Sequence, residues 1–261
     1  MNVWVTPRAT GVERDLPFEC IALVLQGGGA LGAYQAAVYE ALAEAGIKPD
    51  WIAEVSIGAI NGAIIAGNPP KSQIDRLREF WTQAAVGGVW PCLGDPAGRL
   101  ARGDAARNIF NQLSAGFALA NGVKGFFSAR LVVPWLHPAG TIEATSFCDT
   151  RDLKRTLDRL NAATPRFSAG AVNVRSGNFV YFDTTTHTIR PEHIMASGAL
   201  PPGLPAIEIR GEHYWDGGLV SNTPLQWVFE TEPRQDTLAF QVNLWSARGE
   251  FPRGASQERR A

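Results

Sequence analysis

Three short stretches carry residue types that could do chemistry together. Ser56 stands in Ala53-Glu54-Val55-Ser56-Ile57-Gly58-Ala59-Ile60-Asn61, between the apolar run Trp51-Ile52-Ala53 and a small-residue segment from Ile57 to Ala66. A serine at a sharp strand-to-helix turn exposes its Oγ. The helix that follows aims free backbone N–H groups at any oxyanion formed beside it. Gln26-Gly27-Gly28-Gly29-Ala30-Leu31-Gly32 is a glycine loop directly after another apolar run, placed to offer N–H groups to an anion. Asp216, in Trp215-Asp216-Gly217-Gly218, is an acid beside two glycines that let the backbone turn and present the carboxylate. A nucleophile, a base and a set of oxyanion donors make a constellation for acyl transfer.

Each stretch also has a plain reading. The serine could cap a core helix, the loop could be a tight turn that needs glycine, and Asp216 could open an ordinary Asp-Gly turn. The elbow also departs from G-x-S-x-G, because Glu54 fills the first glycine position. That turn is crowded, so a long acidic side chain there must swing away or strain the loop. The glycine loop is not the phosphate loop G-x-x-x-x-G-K-[ST]. As a dinucleotide fingerprint it lacks a well-placed acid, since Asp50 precedes the next strand instead of ending it.

The elements that must position these residues read as a parallel α/β opening. Cys20 to Leu25 is a continuous apolar run suited to a strand buried on both faces. The glycine loop, a helix from Ala33 to Ala45, the elbow strand and the helix from Ile57 follow in order. Gly58, Gly62 and Ala66 give that last helix a bare stripe for close packing, and Gly67-Asn68-Pro69-Pro70 stops it. The loop and the elbow therefore leave adjacent strands at one end of the sheet, where open α/β sheets bind ligands. Ser72 to Ala85 is amphipathic, with Ile74, Leu77, Phe80 and Trp81 on the core side.

Residues 86–148 are an irregular, lid-like insertion punctuated by Gly and Pro. Trp90, Phe117, Phe126, Phe127 and Trp135 in it could line an acyl pocket or touch lipid, or form a satellite core. A helix from Asp149 to Leu160 follows, then a hairpin of Phe167–Asn173 and Asn178–Asp183, and a short helix from Glu192 to Gly198. A second hairpin ends at Asp216. Pro224 opens another helix, and Thr237 to Trp245 reads as a last buried strand. The division expected is a polar arm over 1–18, a hydrolase domain over 19–245 and a loose tail over 246–261.

Composition narrows the class. At 261 residues and 45% hydrophobic content the chain can bury a large core, and a net charge of −1 argues against a nucleic-acid partner. Cys20, Cys92 and Cys148 fit neither a metal site nor a disulfide framework, which suits a reducing, cytoplasmic compartment. The first 18 residues are neither a signal peptide nor an anchor, and no stretch is apolar enough to span a bilayer.

With these motifs in view, the chain resembles the patatin-like phospholipases from residue 20 to about 245. Gly27-Gly28-Gly29-Ala30-Leu31-Gly32 looks like their oxyanion loop, and Val55-Ser56-Ile57-Gly58-Ala59-Ile60-Asn61 like their nucleophile elbow. Ala196-Ser197-Gly198-Ala199-Leu200-Pro201 looks like their segment beside the active site, and Asp216-Gly217-Gly218 like their acid motif. Four motifs in order are far more specific than one.

The resemblance implies a three-layer α/β/α fold with a mainly parallel central sheet. It implies lipid or ester hydrolysis of the phospholipase A or esterase type by a Ser56–Asp216 dyad, without metal or cofactor. Gly28, Gly29 and Ala30 would supply the oxyanion hole, supported by Gly27, Gly32, Gly58, Gly217 and Gly218. Transient contact with a membrane surface fits the same substrate class. The likeness is to a bacterial subgroup whose chains continue further, so a C-terminal extension is expected to be missing.

Two departures stand out. Leu31 lies where many relatives carry Arg or Lys, and Glu54 raises the alternative of a catalytically impaired lipid-binding or regulatory relative. His137, His187, His193 and His213 could each supply a conventional base, but no histidine stands in a motif.

Overall fold

Alternation along the first strand decides which side of the sheet each residue serves. In β1 (Cys20–Leu25) every residue is buried, with Ile21, Leu23 and Leu25 facing one layer and Cys20, Ala22 and Val24 the other. The same division holds in β2 (Trp51–Val55), where Ile52 joins the larger core and Trp51 and Ala53 the smaller one. A computed structural model describes residues 16–86, 127–128, 141–142, 153–162 and 164–245. Trp90, Phe117, Phe126 and Trp135 of the aromatic cluster expected in the insertion, most of the polar arm and the tail lie outside the described residues.

Between these strands runs α1 (Gly32–Glu44), and α2 (Ile57–Gly67) and α3 (Gln73–Val86) follow β2. A two-stranded pair, β3 (Phe127–Ser128) with β4 (Thr141–Ile142), is the described part of the insertion. There follow α4 (Leu153–Leu160), the hairpin β5 (Arg166–Asn173) and β6 (Phe179–Asp183), and α5 (Pro191–Ser197). The hairpin β7 (Ile207–Ile209) and β8 (Glu212–Asp216), then α6 (Leu225–Glu230) and β9 (Thr237–Val242), complete the described elements.

The main sheet is mixed. Strands β9, β1, β2 and β5 are parallel neighbours, and β6, β8 and β7 join antiparallel. Helices α1 to α5 cover one face around Leu23, Leu25, Ile60, Phe80, Leu160 and Ile194. Helix α6 covers the other through Val228, which packs with Cys20, Ala22, Val24, Trp51 and Ala53. The chain thus builds three layers, α/β/α.

Two expectations need correction at the C-terminal end. The last strand is half-buried over most of its length, because among the described strands only β1 lies beside it. It also ends at Val242 instead of reaching Trp245. The N–H groups of Leu244 and Trp245 leave the ladder and donate to Gln26 Oε1, at 2.6 and 3.0 Å.

Candidate active site

One edge of β5 brings the candidate residues together. Ser168 to Gly170 pair with β6 on one side and β2 on the other, and Ala171 and Val172 pair with β6 and β8. Because β6 occupies one edge throughout, β2 and β8 must share the other. They approach head-on along it. Val55 of β2 is the partner of Gly170, and Asp216 of β8 is the partner of Ala171. Val55, the residue before Ser56, and Asp216 therefore face consecutive positions of one strand, although Ser56 and Asp216 stand 160 positions apart in the sequence (216 − 56).

Ser56 lies at the turn between β2 and α2. It caps α2 with φ 58° and ψ −124°, a left-handed conformation that is strained for a non-glycine residue. Its N–H has no ladder partner, since β8 takes over the edge at Ala171. That N–H donates to Ser197 Oγ at 3.0 Å instead. Gly58 lies where a Cβ would be 2.6 Å from the Leu25 carbonyl oxygen, so the start of α2 packs directly on β1. Gly32 makes the same kind of approach to Ile57 at the start of α1.

The glycine loop lies beside the elbow. A Cβ on Gly27 would sit 3.0 Å from Ser56 Cβ and would collide with Asn222 Oδ1. Gly29 has φ +55°, and Gly29–Leu31 forms a single 3-10 turn capped by Gly28. The first N–H groups of such a turn find no partner inside it. The loop is tied down at both edges. Gly27 donates its N–H to the Asn222 carbonyl (3.2 Å) and accepts from Asn222 Nδ2 (2.9 Å). Gln26 donates from Nε2 to Thr223 Oγ1 at 2.9 Å, and its carbonyl accepts from Gln35 Nε2 at 2.6 Å.

Asp216 ends β8 and is 2% exposed. Its Oδ1 accepts from the Gly218 N–H at 2.7 Å. Burial pushes this carboxyl above its ordinary range, while the Ser56 hydroxyl and the Gly218 N–H act the other way. The flanking glycines are matters of space. A Cβ on Gly217 would lie 2.6 Å from the Gly170 carbonyl oxygen, and one on Gly218 would lie 3.1 Å from Asp216 Oδ1.

Glu54 does not disturb this turn. It is still part of β2, fully buried, and its side chain runs under α2, where a Cβ on Gly62 would come within 2.9 Å of its Cδ. The space beside Gly62 receives the side chain that the elbow could not. Neither carboxyl oxygen meets a hydrogen-bond partner among the described residues. Burial first, then the charge of Asp183, pushes the Glu54 carboxyl well above its ordinary range.

The described histidines are engaged elsewhere. His193 Nδ1 accepts from the Arg190 N–H at 2.9 Å, its ring packs on Phe182, and burial draws its pKa down to about 4. His187 pairs with Thr186 and meets Phe182 edge-on, and His213 is exposed opposite Glu208 on the outer hairpin. His137 lies outside the described residues. No group of three His, Cys, Asp or Glu side chains converges on a metal-sized site among the described residues. No described helix is long and apolar enough to cross a membrane.

Residue-type reasoning alone passed over Gly170 and Asn222. A Cβ on Gly170 would lie 2.5 Å from Phe179 Cζ and 3.0 Å from Val55 Cγ2. The signal was present, because a glycine inside a strand marks close approach. Asn222 gave no comparable signal, since Asn222-Thr223-Pro224 reads as an ordinary helix entry.

The chain is similar to known proteins. Over 72 residues the chain is 46% identical to patatin-like phospholipase domain-containing protein 7 of Rattus norvegicus, which covers 28% of this chain and 5% of that protein. Over 243 residues it is 24% identical to lysophospholipase NTE1 of Candida glabrata, which covers 92% of this chain and 11% of that protein. The chain thus spans only a small part of the length of these relatives. The crystal structure of VipD from Legionella pneumophila aligns with 85% of this chain and 50% of its own, at 17% identity and a TM-score of 0.44. The family model for patatin-like phospholipase matches residues 23–228, and the chain belongs to that family.

Proposed function

We propose that this chain is a serine acyl hydrolase that cleaves lipid or carboxylic esters, of the phospholipase A or esterase type. The observation that carries this reading is the strand pairing that brings the strained elbow at Ser56 and the buried carboxylate of Asp216 to one point on the edge of β5. Family membership supports a lipid ester as the substrate class, as do the names of the phospholipase and lysophospholipase relatives.

The chemistry follows from the residue types. Ser56 Oγ attacks the ester carbonyl as its proton passes to Asp216. The oxyanion is held by backbone N–H groups of Gly28, Gly29 and Ala30, one such donor being worth about 3–4 kcal/mol in the transition state. Asp216 returns the proton to the leaving alcohol, which departs and leaves the acyl group on Ser56. Water then gives a proton to Asp216, attacks the acyl carbon and releases the acid, and Ser56 recovers its hydrogen. A carboxylate near its ordinary pKa of about 3.9 is a weak base, so the desolvation of Asp216 favours this role.

The test is labelling with a fluorophosphonate, which reacts only with an activated serine, beside an ester panel from short p-nitrophenyl esters to phosphatidylcholine. Labelling confined to Ser56 and ester turnover are expected. An inert Ser56 would leave a non-catalytic lipid-binding relative as the better description.

A further inference from the structure

We propose that Ser197 is a positioning residue that holds the nucleophile and the acid at their working separation. The proposal rests on the hydrolase reading above and assigns a role to a side chain that touches neither substrate nor reacting atoms. Ser197 is fully buried at the last position of α5. Its Oγ accepts the Ser56 N–H at 3.0 Å and donates to the Gly170 carbonyl at 2.7 Å.

Both of its partners lie at the junction where β2 gives way to β8. Gly170 is the register partner of Val55, and its carbonyl oxygen also lies against Gly217, the residue after Asp216. Two residues beyond Ser197, the Ala199 carbonyl accepts the Asp216 N–H at 3.0 Å. The short run Ser197 to Ala199 therefore grips the backbone of both reacting residues, one through a side chain and one through main chain. The hydroxyl fits this task because it can accept and donate at once. It satisfies an N–H that the strained elbow withdraws from the ladder, and it ties that elbow to the strand on which Asp216 is registered. Removing it leaves the Ser56 N–H buried without an acceptor, so φ at Ser56 relaxes and Oγ drifts from the carboxylate.

The experiment compares wild type, Ser197→Ala and Ser197→Thr on a soluble p-nitrophenyl ester, with fluorophosphonate labelling rates and thermal melts in parallel. Ser197→Ala should lower kcat and the labelling rate by roughly ten- to a hundredfold, the scale of small misplacements of reacting groups. KM should stay within about twofold. Ser197→Thr, which keeps the hydroxyl, should recover much of the loss. The acid limb of the kcat/KM profile should move to higher pH in Ser197→Ala, because the Ser56 hydroxyl, which favours the charged form of Asp216, moves away from it. A merely structural serine would lower the melting temperature without moving that limb.

If Ser197→Ala does not fold, Ser197→Cys carries the test. Its weakly accepting thiol must give the same changes in smaller measure. An active wild type matched by Ser197→Ala in kcat, labelling and pH limb overturns the positioning role alone. A wild type inert to both ester and fluorophosphonate overturns the hydrolase reading, and the positioning role with it.

Discussion

Asp216 and Glu54 are both buried carboxyl groups, yet their surroundings fit them for opposite behaviour. Asp216 accepts the Gly218 N–H, and the Ser56 hydroxyl also favours its charged form, so that form has support despite burial. Asp216→Asn and Ser56→Ala should each abolish ester turnover, while alanine at any of the four histidines should leave it. Turnover lost in one folded histidine variant would point to a triad instead. The kcat/KM of wild type should rise with pH through a limb above the ordinary carboxyl value of 3.8, since Asp216 must be ionised to accept a proton. Among the described residues Glu54 has no donors, and burial favours its protonated form. The folded chain therefore keeps a proton that the unfolded chain releases above the ordinary value of 4.5. Stability linked to this group falls as pH rises from there, and levels off once the folded-state carboxyl also ionises. Glu54→Gln cannot ionise, so its advantage over wild type should grow by up to about 1.4 kcal/mol per pH unit. Urea unfolding midpoints of the two proteins between about pH 5 and 8 check this. A gap that stays constant with pH would show that Glu54 is already ionised in the folded chain.

At the scale of elements, α2 is held to the sheet by contacts that leave no room for a side chain. Gly58→Ala places a methyl against the Leu25 carbonyl oxygen, which belongs to β1 and cannot rotate away. It should cost about 1–3 kcal/mol by melts, with slower labelling of Ser56. Gly62→Ala meets the Glu54 carboxyl group first, so its cost should shrink in a Glu54→Gly background. A double-mutant cycle should give a coupling of about 0.5–3 kcal/mol, and additive costs would mean the two residues do not share that space. The stripe Gly58, Gly62 and Ala66 was legible from its spacing alone, as were the elbow and the helix it begins. The destination of Glu54 was not legible. The elbow pattern names the residue that should be absent, but the space that receives its replacement lies on a helix turn six residues beyond Ser56 (62 − 56). The half-buried setting of β9 was likewise hidden, because an apolar run does not say how many neighbours a strand has.

Over the whole molecule, the first strand's loop is closed by residues from the far end of the chain. Gln26 bonds to Thr223 and to the N–H groups of Leu244 and Trp245, and Asn222 bonds to Gly27. Gln26→Ala would strand these N–H groups and loosen the glycine loop together, so melting temperature and kcat should fall in the same variant. A loss of stability with full kcat would separate the loop from the reaction. The order of motifs foretold that early and late residues would share a site. It could not foretell how, because strand pairing across 160 residues (216 − 56) leaves no local trace in either segment. The answer is that β2 and β8 divide a single edge of β5 between Gly170 and Ala171. The gap between hydroxyl and carboxylate is thereby set in whole residues, like teeth on a rack. Lengthening or shortening the chain between α3 and α4 leaves that setting alone, whereas deleting one residue inside β5 or β8 turns the acid to the opposite face of the sheet.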